Sequence, residues 1–126
     1  MKPRLSYKAK LTATEAHEIT DSAITEFSEN QLTAYLAKDT THPLISGILK
    51  LEAQEKTGRQ ARLKTEEIEE LLNSTITEFS ENKMTAYLDA KDQENPWEYL
   101  LHFGFIIDPL VRGVVKIEQR IRILTD

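Results

Sequence analysis

The sequence predicts an all-α protein, a tandem duplication of a long-helix/short-helix hairpin that forms a small helical bundle, plus a C-terminal helix or extended tail. Three observations support this fold class: an internal repeat, apolar side chains at helical spacing in each copy, and prolines where helices begin. The chain has 126 residues, 40% of them hydrophobic, which suits a single domain with one core.

The internal repeat is the strongest signal in the chain. Residues 22–36 have the sequence SAITEFSENQLTAYL and residues 74–88 have STITEFSENKMTAYL, so 12 of 15 positions are identical at a spacing of 52. Two copies indicate a doubled motif rather than a solenoid, which needs about three repeats. We predict a single domain, residues 1–126. Its parts are two repeats and a C-terminal extension: 7–58, 59–112 and 113–126.

The long helix of the first repeat is predicted over residues 13–38. Thr12 and Glu15 have the spacing of a capping box, and apolar side chains follow on one face. That face comprises Ala16, Ile19, Ala23, Ile24, Phe27, Ala34 and Tyr35, and its equivalent in the second repeat comprises Ile68, Leu71, Leu72, Ile76, Phe79, Ala86 and Tyr87. Ser28 and Gln31 have the same capping spacing, so a break in the helix at that point is the alternative.

Each short helix is predicted to begin at a proline, Pro43 in the first repeat and Pro96 in the second, and the repeat alignment places these two prolines opposite each other. The first short helix is expected to end at Thr57–Gly58, because glycine favours the position after a helix. The second is apolar on almost every side. Such a helix is either buried centrally or covered by a neighbouring chain.

The last element begins at Asp108–Pro109. Its apolar residues follow a helical 4-3-4-3 spacing: Leu110, Val114, Ile117, Ile121 and Leu124. Alternation of apolar and polar residues over 115–123 leaves a strand open as the alternative. We favour a helix.

Charge is distributed unevenly along the chain, whose formal net charge is −5. Residues 11–110 hold 8 basic and 19 acidic side chains, whereas residues 1–10 have four basic side chains and no acidic one. Residues 111–126 are also net basic, through Arg112, Lys116, Arg120 and Arg122. An acidic body is a poor match for nucleic acid, so any such contact is expected only at the basic ends, which we otherwise expect to be solvated.

Several classes of protein are disfavoured by composition. Without cysteine the chain has no disulfides, Cys-based zinc sites or thiol nucleophile. No apolar run approaches the roughly 18 residues of a membrane span, and the N-terminus lacks the apolar stretch of a secretory signal. We therefore expect no membrane contact and a cytoplasmic location, or a virion if the resemblance described below holds.

Four carboxylates are doubled by the repeat: Glu26, Glu29, Glu78 and Glu81. Converging carboxylates between helices can hold two metal ions, but that chemistry also uses Glu-x-x-His, which is absent here. A carboxylate-bridged metalloprotein is therefore only a remote alternative, and a solvated acidic face is expected. The three histidines are scattered, and no phosphate loop, GxSxG or HExxH occurs. We predict no enzymatic activity, no cofactor and no metal.

Four apolar residues lie off the main apolar face: Leu32, Leu36, Met84 and Leu88. Either the short helix covers them, or they form a contact with a partner or another copy that the duplication uses twice. Polar residues retained between the copies, including the four glutamates above, favour the second interpretation, and these glutamates are included in the candidate partner-binding set. Local sequence exchange between the copies is the alternative explanation of this retention. Asn30 and Asn82 are predicted to form a polar contact between helices.

One family resemblance follows from the order of motifs. Ala23–Ile24, then Ala34–Tyr35–Leu36, then Pro43–Leu44–Ile45 resembles small phage head–tail connector (adaptor) proteins. The second copy carries it through Ile76, Ala86–Tyr87–Leu88 and Pro96–Trp97. The resemblance implies a long helix, a proline-started helix, and subunits that form a ring under the portal.

The first hypothesis for function is thus a non-enzymatic structural or interaction protein, such as a virion head–tail connector or neck component, that assembles by helix packing. The alternative is a stand-alone helical-bundle adaptor or regulator that binds one protein partner through the repeated surface. Both predict a protein partner or a homo-oligomer.

Overall fold

The structure, a computed structural model, describes the backbone of residues 11–125 and the side chains of residues 11–119. Over this range the chain is helical with no strand, which confirms the all-α bundle. The helices are α1 (Ala13–Thr25), α2 (Glu29–Leu36), α3 (Pro43–Thr57), α4 (Thr65–Thr77), α5 (Glu81–Lys91), α6 (Pro96–Phe103) and α7 (Pro109–Thr125), with a 3₁₀ turn at Gly104–Ile106. Within the described range, none of these helices has the length and apolar character needed to cross a membrane.

The predicted long helix is two helices in each repeat. In the first repeat the helix is interrupted at Ser28, which caps α2. The Ser28 hydroxyl accepts a hydrogen bond from the Gln31 amide at 3.2 Å, and the Ser28 amide donates to Gln31 Oε1 at 2.9 Å. Ser80 caps α5 by the first of these two bonds, in which its hydroxyl accepts from the Lys83 amide at 3.3 Å. The predicted alternative of a break at Ser28 is therefore confirmed, and the prediction of one continuous helix over 13–38 is wrong. The physical reason is that a complete cap competes with helix propagation.

The core lies where α1, α3, α4 and α7 pack together, with α5 against α7 and α2 against α3. The apolar faces predicted for the long helices point into it. Its fully buried members include Ile19, Ile48, Leu51, Ile68, Leu71 and Val114. Gly58, in a left-handed conformation with φ of 74°, ends α3 as predicted.

The last element is a helix, as favoured. Val111, Val114 and Ile117 have no exposed surface, so α7 is a central member of the bundle. The predicted boundary between residues 112 and 113 falls inside this helix. Residues 113–119, the first half of the segment predicted as an extension, therefore pack as part of the core helix.

Helix α6 is peripheral, packing against α5 and α7. It buries Pro96, Trp97 and Leu100 on one side. The remaining large apolar side chains of α6 and of the turn after it are between 47% and 81% exposed: Leu101, Phe103, Phe105 and Ile106. The expectation of central burial is wrong, because the bundle core is already filled by α7.

Helix α7, rather than α6, makes the contacts that α3 makes in the first half. Lys50 of α3 pairs with Glu67 of α4, and Lys116 of α7 pairs with Glu15 of α1, each at 2.8 Å. The segments 43–52 and 109–118, PLISGILKLE and PLVRGVVKIE, share five of ten residues. The predicted equivalence of Pro43 and Pro96 is thus wrong, because Pro43 corresponds to Pro109 in this alignment.

In each half a glycine also allows two helices to approach closely. A Cβ on Gly47 of α3 would lie 3.0 Å from Leu71 of α4, and one on Gly113 of α7 would lie 2.8 Å from Ile19 of α1. The two halves are therefore interlocked through reciprocal contacts, and α6 is inserted between α5 and α7. The duplication of an ancestral unit stays a prediction from the sequence.

Candidate interaction surface

The retained segment builds a corner between two helices in each half. The Phe27 and Tyr35 rings lie 5.5 Å apart, and the Tyr35 hydroxyl donates to Glu52 Oε2 of α3 at 2.6 Å. This hydrogen bond to a carboxylate, with burial and the charge of Glu52, raises the pKa of Tyr35 to about 12. The corner thereby fixes α2 on α3.

The second corner repeats these contacts. The Phe79 and Tyr87 rings lie 5.6 Å apart, and the Tyr87 hydroxyl donates to Glu118 Oε2 of α7. Helices α2 and α5 thus occupy equivalent positions on α3 and α7. The aromatic contacts and the tyrosine anchors explain why these aromatic residues are the same in both copies.

The retained polar residues also have local roles. The Thr25 hydroxyl donates to the Asp21 carbonyl at 2.8 Å and the Thr33 hydroxyl to the Glu29 carbonyl at 3.0 Å. With the serine caps, these bonds account for much of the retention without a partner. Asn30 and Asn82 are exposed, so the predicted polar contact between helices is wrong.

The four doubled glutamates are all exposed, in agreement with the expected solvated face. Glu26 and Glu78, at the C-terminal ends of α1 and α4, come together, and the hydrogen bond between them raises the pKa of Glu78, with burial and their mutual repulsion adding to it. Glu29 and Glu81 begin α2 and α5, where a negative charge favours the helix dipole. Among the described residues, no group of three or more His, Asp or Glu side chains is placed to hold a metal ion.

The off-face apolar residues divide into two kinds. Leu36 is 72% exposed, Leu32 43% and Leu88 42%. Met84, in contrast, is half-buried and packs against the core. The interpretation in which a short helix covers all four residues is therefore wrong for the three leucines. Leu36, at the end of α2, and Leu88, within α5, are exposed at equivalent positions of the two copies.

Two buried carboxylates, each paired with basic side chains of another helix, were not predicted from the sequence. Glu15, 1% exposed, accepts from Arg112 Nε at 2.9 Å and from Lys116 Nζ at 2.8 Å. Glu67 accepts from Lys50 Nζ, from the Lys64 amide and from a serine hydroxyl of α3. The only local signal was their common place, the third residue of a helix.

The expectation that the basic ends are solvated is therefore wrong for part of the C-terminal end. Arg112 and Lys116 are largely buried side chains of the Glu15 cluster. The four basic residues predicted to form the N-terminal end, Lys2, Arg4, Lys8 and Lys10, lie outside the described residues, as do the side chains of Arg120 and Arg122.

The histidines remain apart, and each lies near one carboxylate. His17 Nδ1 lies 3.0 Å from Glu55, beside a shallow groove of about 260 Å³ between α1 and α3. His42 lies 3.6 Å from Asp39. His102 lies 4.0 Å from Glu98, one turn away on α6.

Comparison of the chain with models of known protein families, with curated protein sequences and with solved structures found no match.

Proposed function

We propose that this chain is a non-enzymatic structural or interaction protein that assembles with other protein chains by helix packing. The observation that supports the proposal best is the exposed leucine pair at equivalent places, Leu36 on α2 and Leu88 on α5. Single exposed leucines are common on proteins. A pair at equivalent positions of two anchored helices gives a partner the same contact twice.

In its more specific form the proposal is a head–tail connector or neck component, located in the virion. It is supported by the resemblance in motif order: a helix that ends in Ala34–Tyr35–Leu36 is followed by one that begins at Pro43. A protein that assembles in this way needs rigid helices with apolar side chains directed outwards. A cytoplasmic adaptor with one protein partner would use the same leucines.

Light scattering on the purified chain tests the proposal. We expect a defined multimer at micromolar concentration, and we expect Leu36→Glu combined with Leu88→Glu to dissociate it while the helical circular dichroism is unchanged. Asn30→Glu combined with Asn82→Glu, which adds the same two charges at exposed positions of the same helices, is the matched control. A wild-type chain that stays monomeric and binds no protein would overturn the proposal.

A further inference from the structure

We infer that the exposed face of α6 and its 3₁₀ turn is a twofold contact between two copies of this chain, with the two α6 helices antiparallel. The inference rests on the proposed function and names one partner and one surface for it. The surface, called here the α6 face, comprises Glu98, Leu101, His102, Phe103, Phe105 and Ile106.

Three of the four most exposed large apolar side chains that the structure describes lie on the α6 face. Phe105 is 81% exposed, Leu101 77% and Ile106 69%. Since a large side chain contributes about 150–250 Å² when fully exposed, the four apolar residues present about 500 Å². Two such faces bury up to about 1,000 Å² in total when every exposed apolar side chain is covered, which is the lower limit for a specific protein interface.

The polar groups on the α6 face are complementary to themselves, because a carboxylate accepts hydrogen bonds and an imidazole N–H donates one. Helical spacing places Glu98 and His102 one turn apart on the side opposite the buried Trp97 and Leu100, with apolar residues on both flanks. When two such helices run antiparallel across a twofold axis, Glu98 of one copy faces His102 of the other, and the reverse. Parallel helices would place like groups together.

A membrane is the less suitable occupant of the same apolar face. The described chain from Asp89 to Asp108 carries five acidic residues and one lysine. Anionic lipid surfaces attract basic segments and repel acidic ones. The charge around α6 therefore favours a protein surface.

Sedimentation velocity of the full chain over about 1–200 μM, bracketing the micromolar affinity expected of a modest interface, tests the inference. Phe105→Glu should weaken the dimer at least about 100-fold, because the twofold axis counts each substitution twice. Its exposure means that the unfolding transition should be unchanged. Asn30→Glu is the matched control, since it adds the same charge at an exposed position of α2 outside both proposed contact surfaces.

A charge exchange tests the antiparallel geometry separately. His102→Glu should weaken the dimer about tenfold, since two carboxylates then face each other across the axis. Adding Glu98→Lys to it should restore the affinity, because an ammonium group then faces each introduced carboxylate across the axis. Equal weakness of the single and double variants would overturn the antiparallel arrangement.

The outcomes separate this inference from the proposed function. A wild-type chain that is monomeric throughout, or a Phe105→Glu chain that associates like wild type, overturns the inference. If Leu36→Glu with Leu88→Glu abolishes association and Phe105→Glu does not, the proposed function stands alone. Association lost only in Phe105→Glu supports the α6 face and overturns the role of the leucine pair.

Discussion

Replacing the buried carboxylate of Glu15 by an amide should destabilise the protein strongly. The side chain is 1% exposed and holds two cations whose own side chains are 15% and 21% exposed. In Glu15→Gln the shape is kept, but Arg112 and Lys116 lose their counter-charge in a poorly solvated place. Breaking a buried pair costs about 3–5 kcal/mol, and the partial exposure of the cations places our expectation near 3 kcal/mol.

Chemical denaturation followed by circular dichroism measures this loss. A change near 3 kcal/mol should lower Tm by about 10 °C for a chain of this length. Glu69→Gln is the control, because Glu69 is exposed on α4 and its replacement should cost under about 0.5 kcal/mol. If Glu15→Gln costs no more than Glu69→Gln, the cluster does not stabilise the fold.

A double-mutant cycle separates charge pairing from packing. In a Lys116→Met background, Glu15→Gln should cost about 1 kcal/mol less than in the wild-type chain, because one of the two uncompensated cations is gone. Strictly additive costs would refute the pairing argument even if both single variants were unstable.

Two further predictions concern Glu67 and Gly58. Burial alone would raise the pKa of Glu67, but its hydrogen bonds from Lys50, the Lys64 amide and Ser46 lower it overall. The ionised Glu67 carboxylate therefore contributes its full stabilisation above the ordinary glutamate pKa, and this contribution declines as the pH falls through the lowered pKa. The difference in unfolding free energy between wild type and Glu67→Gln should thus become smaller from pH 7 to about pH 3 in denaturant titrations. Gly58→Ala should cost about 1 kcal/mol through its positive φ alone, since no atom lies within 4 Å of the added Cβ; an unchanged Tm would contradict this.

Local patterns predicted the helices well. The Thr12–Glu15 capping box, the apolar faces and Gly58 after α3 depend on residues within a few positions of one another, and the structure has each of them. The break at Ser28 was also visible locally as a second capping box. Sequence alone could not decide between one long helix and two, because a complete amphipathic face continues across the break.

The long-range arrangement could not be predicted from such patterns. Glu15 and Arg112 are 97 residues apart, and their contact depends on how α7 packs against α1. The inserted α6 also concealed the equivalence of α3 and α7, because it begins with a proline of its own. An apolar helix was expected either in the core or under a neighbouring chain, and the bundle has no space left for its outer side.

The Glu15 cluster links the core to the surface proposed for self-association. Arg112 donates through Nε to Glu15 and through Nη1 to the Gly104 carbonyl at 2.8 Å, so one guanidinium connects α1, α7 and the turn after α6. The reciprocal contacts of α1, α3, α4 and α7 do not require α6, but Arg112 fixes its end on them. Because Phe105 and Ile106 follow Gly104 directly, a loss of this anchor should disorder the α6 face before the core unfolds. The dimer should therefore weaken in Arg112→Lys, a substitution that keeps the charge and removes the two-directional hydrogen bonding.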